Sequence, residues 1–146
     1  VRRQEAEAKV ALQLTQITNR IRETLNTETI LKILVTSTRE TLQVNRVVFY
    51  HLNESQGEII AESLDYSLNA VIGTQIQNPY QVTEYPEEYE FGSIKVIQDI
   101  QDLRLSQSYL EQLQDLDVKA FLLAPIFVYY KLYGLLVAHE CEGTRF

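Results

Sequence analysis

The hydrophobic rhythm of the chain changes at Asn45, and that change does most to limit what it can fold into. Before it, apolar residues recur every three or four positions, the spacing of one helical face. Val10, Leu14, Ile17 and Ile21 form a narrow seam. Ile30, Leu31, Leu34, Val35, Thr38 and Leu42 form a broader stripe, suited to packing on a sheet. Residues 1 to about 24 lack Pro and Gly and read as one helix. Leu25-Asn26-Thr27 is expected to break it. Asn26 or Thr27 then caps a second helix by accepting its first free N–H groups, with Glu28 near the positive end of the dipole. The seam either lies on the helix's own domain or pairs with a second copy, as in a short coiled coil.

After Asn45 the residues turn β-branched and aromatic. Arg46 to Leu52 reads as a strand, Asn53 to Gly57 as a turn and Glu58 to Ser63 as a second strand, antiparallel to the first. Leu64 to about Gly92 is irregular and holds Tyr66, Tyr80, Tyr85 and Tyr89; a short helical turn is expected at Ile72 to Ile76. Ile94 to Ile97 predicts a strand. Ser106 to Leu116 predicts a helix whose apolar side is Leu105, Leu110, Leu113 and Leu116. Val118 to Val128 and Leu132 to His139 predict two more strands joined at Tyr129-Tyr130-Lys131. The run from Phe121 to Phe127 suits a buried central strand, with Pro125 at a bulge or an unpaired position. This order is not a βαβα alternation. It predicts an α+β fold: an antiparallel sheet of five to six strands with helices packed on it.

Other classes are excluded by simpler features. A net charge of −7 repels a polyanion, and only Arg2-Arg3 and scattered single cations are available, so no nucleic-acid partner is expected. No basic amphipathic face or bilayer-length apolar run is present, so no membrane contact is expected, and the absence of a signal peptide predicts a cytoplasmic location. The chain starts at Val1 and has no methionine, which reads as a segment of a longer protein. Its one cysteine, Cys141, allows no disulfide within the chain.

Catalytic signatures are missing. No Gly-rich phosphate loop occurs, and His51, His139 and Cys141 do not have metal-ligand spacing. His139 and Cys141 share a strand face, yet Glu140 and Glu142 oppose an activated thiolate. Glu84, Glu87, Glu88 and Glu90 read as a solvated loop face. The domain itself is not expected to be an enzyme.

Several segments in order resemble the GAF domains of cyanobacteriochromes and phytochromes. They are Asn45-Arg46-Val47 with Tyr50, Tyr89-Glu90-Phe91-Gly92 before Val96-Ile97-Gln98-Asp99-Ile100, Val118-Lys119-Ala120 leading into Leu123-Ala124-Pro125-Ile126, and Leu132-Tyr133-Gly134-Leu135-Leu136-Val137-Ala138-His139-Glu140-Cys141. The resemblance runs from about Leu14 to Cys141. It implies a GAF-like sheet with an N-terminal signalling helix, divided as helix 1–24, continuing from an upstream module, and GAF domain 25–146. In the photoreceptor members a bilin is bound through a thioether to a cysteine in a Leu-Ser-Pro-Cys-His pattern. Here the matching stretch is Leu105-Ser106-Gln107-Ser108-Tyr109, with Ser108 at the cysteine position and Tyr109 at the histidine position. Some members add an Asp-Xaa-Cys-Phe motif; here that stretch is Asn78-Pro79-Tyr80-Gln81. A hydroxyl and a phenol do not make a thioether.

The resemblance thus implies a degenerate bilin-like pocket of Tyr50, Asn78, Tyr80, Tyr89, Ser108, Tyr109 and His139. It implies a sensory and signal-relay domain of a histidine kinase or chemoreceptor-like protein. The expected partners are a second copy, through Val10, Leu14, Ile17 and Ile21, and neighbouring domains of the same chain. No cofactor is expected. The alternative is a ligand sensor that holds a small molecule such as a tetrapyrrole or a nucleotide noncovalently. An open cavity lined by His139, Tyr109 and Tyr89 favours the sensor; a packed one favours the relay.

Overall fold

The computed structural model describes residues 2–53, 56–79, 83–84, 93–102 and 104–143. The first element is a single helix, α1, Arg2–Leu42. The break expected at Leu25-Asn26-Thr27 does not occur. Neither Gly nor Pro precedes Gly57, so nothing forces the helix to stop. Thr27 Oγ1 donates to Glu23 O at 2.9 Å, one turn back, instead of capping a new helix. Thr15, Thr18 and Thr38 bond one turn back in the same way. The helix ends when Gln43 takes a φ of 54° and its N–H bonds to Arg39 O. The chain divides into two compact units, 1–31 and 32–146. Among the described residues, no helix is long and apolar enough to cross a membrane.

In the second unit the strands are β1 (Arg46–Leu52), β2 (Gln56–Leu64), β3 (Gln75–Gln77), β4 (Thr83–Glu84), β5 (Lys95–Ile97), β6 (Arg104–Leu105), β7 (Ala120–Val128) and β8 (Lys131–Glu140). Six form one sheet in the order β3-β2-β1-β8-β7-β5, antiparallel throughout. β4 and β6 form a separate short pair. The α+β architecture is therefore the expected one. Lys32 Nζ donates to Glu62 O and Arg39 Nε to Ser63 Oγ, which ties residues 32–42 of α1 to β2.

Two local expectations are corrected. The stretch Ile72 to Ile76 is a turn followed by β3, not a helical turn. Glu62 Oε2 accepts the N–H groups of Val71 and Ile72, and Gly73 takes a φ of +87°, which brings the chain back to pair with β2. β7 is an interior strand, between β8 and β5, and is buried at Ala120, Phe121 and Leu123, but it is not buried throughout: its last residues, Phe127 and Val128, are exposed. Pro125 sits two residues beyond the last pairing with β5, where the strand has one neighbour only.

The second helix, α2 (Gln107–Asp115), is capped by Ser106, whose side chain accepts from Tyr109 N. It closes with Val118 N bonding to Leu113 O and Asp117 N to Gln114 O, while Asp117 takes a φ of 59°. That is a Schellman motif with aspartate where glycine is usual.

The β7–β8 hairpin turns on Tyr129 and Tyr130, with φ of 51° and 66° and their side chains almost wholly in solvent. Positive φ at both central residues suits the twist of the strands but strains any residue with a Cβ. The double substitution Tyr129→Asn with Tyr130→Gly should therefore raise the urea midpoint, a gain of about 1–2 kcal/mol. Gly134 is the opposite case. A Cβ there would collide with the backbone oxygen of Tyr50 as well as with the Phe49 ring, so Gly134→Ala should cost about 3 kcal/mol or more in the same titration.

Candidate functional site

Alternation decides which side chains share a face of the sheet and so meet α2. Arg46, Val48 and Tyr50 of β1 share one face, opposite His139, Val137 and Leu135 of β8. Phe121 and Leu123 of β7 follow, then Ile97 and Lys95 of β5. Val48, Tyr50, Ile97, Phe121, Leu123, Leu135 and Val137 form one apolar cluster with Tyr109 and Leu113 of α2 and its cap Leu116. α2 covers this face.

Three of the expected pocket residues lie on it. Tyr50, Tyr109 and His139 are 2%, 1% and 0% exposed, so all three side chains are buried. Tyr50 Oη and His139 Nε2 are 3.5 Å apart, a long and weak hydrogen bond. Arg46 Nη1 lies 3.3 Å from His139 Nδ1 and also donates to Leu116 O at 2.8 Å, at the carbonyl end of α2, where a cation is favoured. A guanidinium only donates, so His139 Nδ1 accepts and the ring proton sits on Nε2, facing Tyr50. Burial, reinforced by the Arg46 charge, pulls the pKa of His139 down to about 3. Burial pushes the Tyr50 phenol above its ordinary value, against a smaller pull from Arg46. Both rings are therefore neutral at pH 7, and the group is a packed polar insert rather than an acid–base pair.

The remaining expected residues lie elsewhere or outside the described residues. Ser108 is on the solvent side of α2 and accepts from Gln77 Nε2 at 2.8 Å. Gln77 N donates to Gln112 Oε1, so β3 is tied to α2 at two points. Asn78, just after β3, is buried. Tyr80 and Tyr89 lie outside the described residues. Cys141, just past β8, is buried, and its N–H donates to Asn45 Oδ1. Burial, with Asp117, Glu140 and Glu142 adding to it against Arg46, raises the pKa of its thiol. A cleft of about 350 Å³ runs between Asp99, Gln101, Gln114, Asp117 and Lys119, and none of the expected pocket residues lines it.

Two buried cations on this face were not singled out from the sequence. Arg46 reads as the start of a strand, and Lys95 reads as part of another. The available signal was parity: Arg46 is four residues from Tyr50 and Lys95 two from Ile97, so each shares its neighbour's face. Lys95 is 1% exposed, its Nζ donates to Ser93 Oγ, and burial lowers its pKa. Arg46 Nε finds no hydrogen-bond partner among the described residues.

A test of the neutral His139 follows from its pKa. The folded value lies below the unfolded value of 6.5, so the unfolded chain takes up the proton first as pH falls. Stability should therefore decline from about pH 6.5 towards pH 3, by up to about 1.4 kcal/mol per pH unit from this residue alone. In chemical denaturation at stepped pH, His139→Gln should flatten that decline, whatever its effect at neutral pH.

Comparison with known proteins gives a consistent family. The GAF domain family matches residues 26–146. A protein of Synechocystis sp., provisionally named a methyl-accepting chemotaxis protein, is 33% identical over 139 residues, 94% of this chain and 14% of that protein. The circadian input-output histidine kinase CikA of Synechocystis sp. is 31% identical, over 90% of this chain and 21% of the kinase. This chain thus spans only a small part of either relative. Among solved structures, the blue-light absorbing form of the Thermosynechococcus elongatus PixJ GAF domain superposes with a TM-score of 0.73 at 30% identity, covering 84% of this chain and 74% of that one.

Proposed function

The chain belongs to the GAF domain family, and from that premise we propose that it is a sensory, signal-relaying module of a larger signalling protein that holds no bilin through a thioether. The observation that carries this reading is the packed face under α2. Tyr50, Tyr109 and His139, the residues expected to line a pigment pocket, are instead buried, Tyr50 and Tyr109 within the apolar cluster under α2. The chemistry of attachment agrees. The one thiol, on Cys141, is buried and its pKa is raised, and Ser108 offers a hydroxyl. A thioether needs a soft sulfur nucleophile, which these positions do not supply.

The similarity to parts of a chemotaxis protein and a histidine kinase supports a relay role between neighbouring domains of one polypeptide. The relay uses α1: Val10, Leu14, Ile17 and Ile21 are each more than half exposed and apolar, as a seam for a second copy requires. A cytoplasmic setting fits this reading.

A second reading, noncovalent binding of a small molecule, is favoured by one observation. Arg46 is a cation buried on the face α2 covers, its Nε finds no hydrogen-bond partner among the described residues, and a ligand bearing a carboxylate would complement it. Binding would require Tyr109 to leave its place in the core.

Co-expression with enzymes of bilin synthesis distinguishes these readings. The purified chain should be colourless and should show no zinc-enhanced fluorescence after denaturing electrophoresis. A fluorescent covalent band would overturn the proposal. A coloured protein that loses its pigment on denaturation would establish the second reading instead, and a rise in melting temperature with added biliverdin would support it.

A further inference from the structure

Strand β7 ends on a side-chain cluster that the fold does not need and begins beside a cleft that the fold leaves open. At its end, the turn residues Tyr129 and Tyr130 take φ of 51° and 66°, where Asn-Gly would sit without strain. Their rings are at least 93% exposed, and Phe127 and Val128 beside them are nearly half exposed. No packing within the chain offsets the strain, so a use for the side chains, not for the turn, accounts for these residues. Lys131 follows them and is the one charged side chain from Ala120 to Ala138, in a chain of net charge −7. The tip is thus convex, aromatic and free of carboxylates.

At the other end of β7, Asp99, Asp117 and Lys119 line a cleft of about 350 Å³ together with the buried Ile100 and Val118. Its walls are pinned: Ile100 N donates to Lys119 O, Gln101 N to Asp99 Oδ1 and Val118 N to Leu113 O. Ligand sites span roughly 300–1,000 Å³, so this one suits a large side chain better than a cofactor. Its two carboxylates outnumber its one ammonium, so it favours a cation.

We propose that the tip of one copy enters this cleft on a second copy, a tyrosine ring meeting Ile100 and Val118 and Lys131 lying beside Asp99 and Asp117. Apolar floor meets aromatic tip, and the excess negative charge of the cleft meets the single cation of the hairpin. β7 has nine residues, so tip and cleft lie roughly 30 Å apart along it and one copy cannot satisfy itself. The contact joins two different surfaces, so it is head-to-tail, and copies add into rows or rings. Few side chains are buried, so each contact is weak and association depends on concentration.

The test uses two variants of the full chain. Tyr129→Asn with Tyr130→Gly removes the tip and relieves the turn, so the variant folds. Gln114→Lys puts a second cation on the cleft wall, at an exposed position in the last turn of α2, where lysine is as good a helix former as glutamine and a cation is favoured. In sedimentation, each variant should self-associate roughly tenfold or more weakly than the parent chain, as for loss of a central interface contact. The mixture decides the geometry. Q114K keeps its tip and the tip variant keeps its cleft, so the labelled tip variant should bind immobilised Q114K roughly tenfold more tightly than either variant binds itself. Any pairing through α1 is the same in all three combinations and cancels. If the parent associates no more strongly than the variants, the contact does not exist. If the tip variant is weakened and Q114K is not, the tip docks elsewhere and the cleft is not its site. If the mixed pair is no tighter than the like pairs, the two surfaces do not meet, and the proposal is overturned. None of these readouts depends on whether a bilin is attached.

Discussion

The antiparallel register of β1 on β8 is the constraint on which the rest of the structure depends. It joins strands about 90 residues apart in sequence, Arg46 opposite His139 and Tyr50 opposite Leu135, at the centre of the sheet. A slip of β1 by one residue would turn Arg46, Val48 and Tyr50 to the other face and Val47 and Phe49 towards α2. Gly134 helps to prevent that slip, because only a residue without a side chain fits beside the Phe49 ring. Tyr133, the next residue, stacks its ring near those of Phe49 and His51, so the strands are held on the opposite face as well.

That register also explains why polar groups sit in an otherwise apolar layer. An unpaired buried cation is costly, and Arg46 offsets part of the cost with the Leu116 carbonyl and an imidazole that must stay neutral to accept. The Schellman turn at Asp117 ends α2 where the Leu116 carbonyl meets Arg46. Helix termination, strand register and the protonation of His139 are therefore one linked arrangement, and the Tyr50 and Tyr109 rings fill the space around it.

Much of this was legible in the sequence, and the failures have physical causes. Strands β1, β2, β7 and β8 and helix α2 were recognisable because β-branched and aromatic runs or a four-three spacing mark them directly. The break expected at residues 25–27 was not there, because Asn and Thr are good caps only where something stops the helix, and Thr27 instead bonds back to Glu23. The turn before β3 depends on the carboxylate of Glu62, ten residues away from Ile72, which no local pattern reveals. Tyr50, Tyr109 and His139 came from family resemblance. Arg46 and Lys95 were passed over because a charged residue in a strand is ordinarily read as facing water, whereas here the register turns both inward. Ser108 shows the limit of positional reasoning: its place on α2 was foreseen, but its hydroxyl reaches Gln77 on the outer side.

The uninterrupted course of α1 has a consequence for how such a chain tolerates insertions. Each residue of an α-helix turns its neighbours by about 100°. From Val10 to Ile21 the helix is uninterrupted, so the count of residues between them is a stored angle. Lengthening this stretch by seven residues would return Val10 almost to its original direction, whereas lengthening it by two would swing it nearly to the opposite side of the rod. Length here is a matter of phase, and evolutionary change in this stretch would be expected in whole heptads.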